Sequence, residues 1–326
     1  MKVKNIFIII IILIMIVCLV ILVKPYFKVS KEDLEEEYGE VTEVKLGVVS
    51  KASSNKVIIS NNNVYINDGG VYNFKGILVN GTIYIDTDED VTMNFSGVTL
   101  VNEDASVIDN RKSGKLIINL DENTNNILSD GSNSLAAIKS VGDIFLEGDG
   151  DLLIYANGGS GINVSSGSLV INSGSVYVIA KKEAFNINGE FLINKGTVLG
   201  LGNGNMQTTS SMSKQNTLLL NFEEVNEEAT NFVLTDMDYQ ELISFEALRD
   251  FKTLTLSIPK LDEGRYRIFK NNWCSEEKIN GIYEECEINK DGLVSIGIND
   301  AFVIDNKWNW YGDLDIIINR VSEIIS

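Results

Sequence analysis

The sequence predicts an all-β protein whose main domain is a parallel β-helix. From about Lys56 onward, short apolar stretches alternate with glycine, asparagine, aspartate and serine, and no long helical periodicity interrupts them. The whole chain contains only two prolines. Strands that are this short and closely spaced, with turn residues between them, are typical of an all-β fold.

A repeated unit of two strands joined by a glycine-containing turn indicates the parallel β-helix. Three segments share this pattern: DIFLEGDGDLLIYA from Asp143, SLVINSGSVYVIA from Ser168 and EFLINKGTVLGLG from Glu190. The equivalent positions are Leu116, Ile144, Leu169 and Phe191. A period of about 25 residues fits one coil of a helix whose coils bury their inward side chains against each other. A β-sandwich would also explain the strands, but not this in-register repetition.

Matching asparagines in the repeat predict a small ladder inside the coils. Asn172 and Asn194 each stand three residues after an equivalent apolar position, Leu169 and Phe191. We interpret such a ladder as structural.

The N-terminal segment predicts a membrane anchor. Residues 6–23 form an uninterrupted apolar run, IFIIIIILIMIVCLVILV, which as a helix would span about 27 Å, close to the hydrocarbon thickness of a bilayer. A cleaved signal peptide is the alternative, although no Ala-x-Ala pattern follows the run. We expect an uncleaved single-pass anchor with a cytoplasmic N-terminus, followed by a charged spacer that includes EDLEEE at residues 32–37.

Composition limits the possible functions. The formal net charge is −19, which argues against nucleic acid or anionic lipid as the main partner because phosphates would be repelled. Histidine is absent, so Ser-His-Asp and Cys-His nucleophile systems and histidine-containing zinc sites are excluded. The chain has 46 acidic residues, so carboxylate pairs occur by chance, and no arrangement predicts an enzyme.

Two cysteines in the C-terminal part could form a disulfide. Cys274 and Cys286 are close in sequence and would pair if the domain is outside the cell. Two free thiols are the alternative.

One acidic turn is the candidate metal site. The segment Asp86-Thr87-Asp88-Glu89-Asp90 holds four carboxylates in five residues. Alternate acidic positions in a turn can converge on calcium, which prefers oxygen ligands. Asp86, Asp88 and Asp90 are therefore the predicted ligands, and calcium is the only cofactor expected. A solvated acidic turn is the alternative interpretation.

Two tyrosines in successive coils are the candidate carbohydrate-binding platform. Tyr155 and Tyr177 occupy equivalent places, and each is followed by a polar loop. If they point outward, their rings and the nearby polar groups could bind sugar; if they point inward, they belong to the core. The predicted binding residues are Tyr155, Asn157, Tyr177, Lys181, Lys182 and Glu183. Trp308 and Trp310 lie on one face of a later strand, either as a cap over the end of the helix or as an exposed stacking site.

Several longer motifs resemble a known family. They are NNNVYINDGGVYNFKGIL (61–78), NGTIYIDTDEDVTMNFSGVTLVN (80–102), ENTNNILSDGS (122–132), QNTLLLNF, VLTDMDYQELISFEAL and TLTLSIPKLDEG. From about Ser54 to Asn271 the chain resembles the clostridial cell-surface carbohydrate-binding β-helix proteins, which bind cellulose and pectic polymers. The resemblance implies a right-handed parallel β-helix like that of pectate lyases, extracellular display, sugar binding and calcium sites.

Two turns depart from the family pattern. Where family coils carry Asp-Asp-Gly-Ile or Asn-Asp-Gly-Ile, this chain has Gly-Ser-Gly-Ile at 159–162 and Lys-Glu-Ala-Phe at 182–185. Calcium at these turns is therefore not expected, and a neutral glycan is a better expected ligand than a polyuronate.

The predicted organisation has four parts. Residues 1–29 form the anchor, 30–53 the spacer and lead-in, 54–271 the parallel β-helix, and 272–326 a small β-rich cap. The expected function is non-catalytic attachment to polysaccharide at the cell surface, without nucleic acid as a partner. A divergent polysaccharide lyase or hydrolase, and an adhesin or structural protein that binds protein partners, are the alternatives.

Overall fold

The computed structural model describes residues 41–274, 278–294 and 301–312. The chain divides into two compact units, Met1–Val41 and Thr42–Ser326, and the description below concerns the second. The predicted anchor at residues 6–23 and the charged spacer lie outside the described residues. In the part of the chain that is described, no helix is long and apolar enough to cross a membrane.

The described chain is all-β apart from one 3₁₀ turn at Lys290–Gly292. Its strands, in chain order, are β1 (Thr42–Leu46), β2 (Lys51–Ala52), β3 (Val57–Ser60), β4 (Asn63–Ile66), β5 (Gly70–Val79), β6 (Ile83–Ile85), β7 (Val91–Val101), β8 (Ile108–Asn110), β9 (Leu116–Leu120), β10 (Asn125–Ser129), β11 (Ala136–Ser140), β12 (Ile144–Gly148), β13 (Asp151–Ala156), β14 (Ser160–Val164), β15 (Leu169–Ile171), β16 (Ser175–Ala180), β17 (Phe185–Ile187), β18 (Phe191–Ile193), β19 (Thr197–Gly202), β20 (Thr217–Asn226), β21 (Asn231–Asp236), β22 (Glu241–Glu246), β23 (Phe251–Ser257), β24 (Gly264–Lys270), β25 (Trp273–Cys274), β26 (Lys278–Ile279), β27 (Ile282–Tyr283), β28 (Cys286–Glu287), β29 (Phe302–Ile304) and β30 (Trp308–Tyr311).

Strands β4 to β19 form a parallel β-helix with three faces, which confirms the predicted architecture. The first face contains the N-terminal halves of β5 and β7, followed by β9, β12, β15 and β18. The second face contains the C-terminal halves of β5 and β7, followed by β10, β13, β16 and β19. The third face contains β4, β6, β8, β11, β14 and β17.

The inward side chains stack in columns along the helix. Ile144 pairs with Leu116 on one side and with Leu169 on the other, and Leu169 pairs with Phe191. All four are buried in one hydrophobic cluster that continues through the coils. The register inferred from the repeat is therefore confirmed. The Asn172–Asn194 ladder is also present, since Asn194 Nδ2 donates to Asn172 Oδ1 at 3.0 Å.

The corner between the first and second faces needs a backbone with positive φ in every coil. The residues at this corner are Gly76, Gly97, Asn123, Gly148, Gly174 and Gly196, with φ between 60° and 105°. Glycine and asparagine tolerate this conformation better than other residues. The glycine-containing turn seen in the repeat is therefore the sharp corner of each coil.

The parallel stacking ends at β19, which corrects the predicted helix boundary at residue 271. β23 pairs with β19 in the antiparallel sense, and β20 and β30 continue the same sheet. A second sheet runs in the order β26-β27-β22-β21-β24-β29. The C-terminal part therefore starts well before the predicted cap of residues 272–326. The stretch QNTLLLNF falls inside the predicted helix because the family resemblance includes it. Its strand β20 pairs instead with β23 and β30, which local sequence does not specify.

Two further features of the C-terminal part follow from its pairing. Cys274 and Cys286 form a disulfide that joins β25 to β28. Trp308 and Trp310 lie on β30 at the edge of the extended second face, so they do not cap the helix. The end of the first face is instead covered by the segment before β20, where Ser210 and Gln215 donate backbone hydrogen bonds to Phe191 and Ile193.

Candidate functional site

The predicted tyrosine platform is not a surface, and this expectation was wrong. Tyr177 is 1% exposed, and its hydroxyl donates to the Glu246 carbonyl at 2.6 Å. Burial raises the pKa of the Tyr177 hydroxyl well above 10. Tyr155 is half-buried against the same cluster. The reason is that β13 and β16 are apolar on both sides, as in strands that are covered on both faces.

The polar residues predicted beside the tyrosines lie in the corner loops between the second and third faces. Asn157 Oδ1 accepts from Arg249 Nη2 at 2.5 Å, and Glu183 accepts from Ser160 Oγ at 2.9 Å. Lys181 and Lys182 are exposed. Asn157 and Glu183 therefore hold loops in place, and none of these residues joins a platform with Tyr177.

The three predicted metal ligands do not converge. Asp86 Oδ2 pairs with Arg111 Nη1 at 3.2 Å, and Asp90 Oδ2 pairs with Lys115 Nζ at 3.2 Å. Asp88 accepts from the backbone and hydroxyl of Ser113, which lower the pKa of its carboxyl. Each carboxylate thus binds a separate group on the next coil. In the described ranges, no group of three or more Cys, Asp or Glu side chains could hold a metal ion.

The third face carries a continuous outward row of polar and aromatic side chains. Strand pairing places one such residue from each of six successive strands in register. The members of this outer row are Tyr65, Tyr84, Asp109, Lys139, Asn163 and Asn186. Neighbouring strands lie about 4.8 Å apart, so the row extends over about 24 Å.

Alternation in the sequence explains why the first two members face outward. Tyr65 lies between buried Val64 and Ile66, and Tyr84 lies between buried Ile83 and Ile85. Successive side chains of a strand point to opposite faces, so each tyrosine must leave the core. The NVYI and TIYI patterns therefore contain the signal for this surface, although neither tyrosine was among the predicted binding residues.

The two tyrosines form a rigid stack that ends in a cation. Their ring centroids are 5.1 Å apart with an interplanar angle of 23°. The guanidinium carbon of Arg111 lies 3.7 Å from the centroid of the Tyr84 ring, within cation–π distance. No protein hydrogen bond to either tyrosine hydroxyl is found among the described residues, so both hydroxyls can bind a ligand.

Charges in the middle of the row compensate each other. Asp109 Oδ2 pairs with Lys139 Nζ at 3.3 Å and with Arg111 Nε at 3.5 Å. Asp86, a predicted metal ligand, holds the same guanidinium. Two cations and two carboxylates therefore form a neutral network in which each side chain has a defined position.

A cavity of about 220 Å³ opens beside this network. Tyr84, Asp109 and Lys139 form one wall, and the corner loops that contain Asp104 and Leu135 form the other. Leu135 is 72% exposed at its rim. Hydroxyl, carboxylate and ammonium groups next to an apolar rim can hydrogen-bond a ligand rich in hydroxyl groups while contacting its C–H surface.

Comparison with known proteins gives one family match and one similar solved structure. Residues 60–217 match the family described as carbohydrate-binding domain-containing protein, which confirms the family resemblance for that segment. No curated protein matches the chain. A solved structure from C. thermocellum, titled a polysaccharide lyase-like protein (gadolinium derivative), is similar with 24% identity and a TM-score of 0.43. The similarity covers 48% of this chain and 68% of the other.

Proposed function

We propose that this protein attaches to polysaccharide through the outer row of its third face. The match of residues 60–217 to the family described as carbohydrate-binding domain-containing protein supports a sugar ligand. The observation that carries the proposal is the register of Tyr65, Tyr84, Asp109, Lys139, Asn163 and Asn186. An extended sugar chain presents hydroxyls at regular intervals, and this row offers donors and acceptors at a regular spacing close to that of the strands.

A neutral glycan fits the row better than a polyuronate. Asp86 and Asp109 balance Arg111 and Lys139, so the row has no excess of cations for a polyanion. The three candidate calcium ligands are each occupied by a different partner, which supports binding without a metal bridge.

The location is proposed from the sequence and the disulfide. We place the protein in the cell membrane, as a single-pass protein held by residues 6–23, with the domain from Thr42 onward outside the cell. The Cys274–Cys286 disulfide supports an oxidising compartment, because disulfides are rare in the cytosol.

Catalysis is not part of the proposal, although one arrangement favours the alternative of a divergent polysaccharide lyase. Lys139 and Asp109 line the cavity, and a lyase needs a base that can remove a sugar proton. However, Lys139 Nζ already donates to Asp109 Oδ2 at 3.3 Å, so the amine is held by a carboxylate and is not free to approach a sugar C–H group.

The test uses the fragment Thr42–Ser326, since both hydrophobic cores are formed by residues within it. The fragment is mixed with insoluble cellulose, xylan, pectin and peptidoglycan, with calcium or with EDTA. We expect binding to a neutral glycan that survives EDTA, without release of unsaturated or reducing ends. Binding to none of these polymers would contradict the proposal and favour a protein partner. Release of new ends would favour the lyase or hydrolase.

A further inference from the structure

A row of three lysines lies on the first hairpin of the described chain and on the strand beside it. Lys45 on β1 pairs with Lys51 on β2 and with Lys75 on β5. Val44 and Leu46 are buried, so Lys45 must point outward, and register places the other two beside it. All three are exposed. Like charges directly opposite each other destabilise a sheet.

Within residues 41–274, 278–294 and 301–312, no acidic side chain forms an ion pair with this lysine row. Among the described residues, none of the three lysines forms an ion pair or a side-chain hydrogen bond. The nearest carboxylate along β1 is that of Glu43, and it accepts from Asn73 Nδ2 at 2.8 Å. Three adjacent cations without a carboxylate partner in the described part of the chain are unexpected in a protein with a net charge of −19. An anionic partner would relieve their repulsion.

The tip of the same hairpin is apolar. Val48 is fully exposed and Val49 is 74% exposed. Hydrogen bonds between Gly47 and the Ser50 hydroxyl close the turn and leave both valines at its end. Valines this exposed add little packing to the described fold, and a soluble polyanion would give them no apolar surface to contact.

An edge-protection role would explain only part of this surface. Lysines often guard the outer strand of a sheet against pairing with other chains. That account covers Lys51 on the edge strand β2, but Lys45 and Lys75 lie on inner strands. It also leaves the exposed valines unexplained, because apolar residues at an edge promote association rather than prevent it.

We propose that this hairpin docks on an anionic membrane surface, with Val48 and Val49 entering the interface and the lysine row binding lipid phosphates. An apolar tip above a basic collar is the arrangement by which interfacial elements bind anionic lipid. The hairpin follows the predicted anchor at residues 6–23 in the sequence, and an anchor there would hold the domain at a bilayer. Salt screens the acidic remainder of the domain beyond about 10 Å. This inference does not depend on glycan binding.

The test is co-sedimentation of Thr42–Ser326 with vesicles of phosphatidylcholine alone or with added phosphatidylglycerol. We expect binding only to the anionic vesicles, with release at high salt. Replacing Lys45, Lys51 and Lys75 together by Gln should weaken binding about a hundredfold, since each lysine near an anionic surface is worth about 1 kcal/mol. The matched control replaces the exposed lysines Lys112, Lys195 and Lys260 by Gln and should leave binding unchanged.

The valines distinguish a membrane from another polyanion. The double variant Val48→Ser/Val49→Ser should lose about tenfold or more in affinity, because it removes the apolar contact. The membrane assignment would be overturned if the double variant bound anionic vesicles with the affinity of the wild type and soluble polyphosphate displaced the protein from them. Equal binding to uncharged vesicles would also overturn it. The triple Lys→Gln variant should unfold at the same temperature as the wild type or at a higher one, because it removes repulsion between like charges. A lower unfolding temperature would contradict the inference, since it would show that the lysines stabilise the fold.

Discussion

Asp130 is a buried carboxylate at the corner beside the candidate site. It is 3% exposed, and its Oδ1 accepts from the backbone N–H of Asn157 at 2.5 Å and of Gly158 at 3.4 Å. Its Oδ2 is buried without a hydrogen bond in the described structure. Burial raises the pKa of the Asp130 carboxyl above its usual 3.8. The residue thus links the corner loops of two successive coils and is harder to ionise in the folded protein.

We predict that Asp130 makes stability depend on pH. Because its pKa is raised on folding, the folded state holds the proton more tightly than the unfolded state, so the free energy of unfolding falls as pH rises from about 4 through the folded pKa. Asp130→Asn keeps the Oδ1 acceptor and should remove this part of the pH dependence. Urea denaturation of both proteins across this pH range measures it, and identical slopes would contradict the prediction.

At the residue scale, the residues that flank a tyrosine in the sequence indicate whether its side chain faces outward. Tyr84 lies in TIYID, where strict alternation and a following aspartate indicate an outward position. Tyr177 lies in SVYVIA, where both sides of the strand are apolar. A strand that is apolar on both sides is typical of one covered on both faces, although the prediction left the direction of Tyr177 open. The local sequence could not show that the cover comes from residues near Glu246, which are distant in sequence.

At the element scale, the positive-φ corner between the first and second faces limits what each coil can accept. A Cβ at Gly196 would lie 2.4 Å from the Gly174 carbonyl oxygen, whereas a Cβ at Gly97 would meet nothing within 4 Å. Both glycines have positive φ, 105° and 70° respectively. The two positions therefore differ in available space but share the need for glycine.

We predict that Gly97→Ala lowers the free energy of unfolding by about 1 kcal/mol, the cost of a left-handed backbone for a residue with a Cβ. Gly196→Ala should cost more, about 3 kcal/mol, because it adds a clash with the backbone of the coil below. Chemical denaturation measures the free energy of unfolding of both variants, and the difference between their losses gives the cost of the steric clash beyond that of the backbone strain. Equal losses at both positions would show that the close stacking at Gly196 has no energetic weight.

The elements that repeat were predictable, and those that do not repeat were not. Leu116, Ile144 and Leu169 could be aligned because each coil buries the same inward position, and their pairing is in that register. The end of the helix at Gly202 could not be located, since short apolar strands continue beyond it and the family resemblance extends to Asn271. Its pairing with β23 and β30 depends on contacts between distant segments.

At the scale of the whole molecule, the helix and the C-terminal sheets share the second face. Outward residues of the last coils and residues of both C-terminal sheets form one buried cluster. Contributions from the helix include Leu153, Tyr177, Ile179, Leu199 and Leu201, and those from the C-terminal part include Phe232, Phe245 and Leu254. The C-terminal part is therefore a lateral cover for the helix.

We predict that the fragment Thr42–Gly202 does not remain a soluble monomer. Removing the cover would expose the outward apolar side chains of the last three coils, and a patch of this kind promotes association. Size-exclusion chromatography and binding of an apolar dye, compared with Thr42–Ser326, test this expectation. A monomeric fragment that does not bind the dye would contradict the shared-face account.

The central claim is that the outer row of the third face binds glycan, and one calorimetric titration tests it most directly. The ligand is a soluble oligosaccharide of the insoluble polymer that binds the fragment Thr42–Ser326. Tyr65→Phe/Tyr84→Phe keeps the ring stack and removes two hydroxyls, so the account predicts about a thirtyfold loss of affinity at about 1 kcal/mol per hydrogen bond. Tyr239→Phe removes an exposed hydroxyl outside the row and should bind like the wild type. Unchanged affinity in the double variant would contradict the claim.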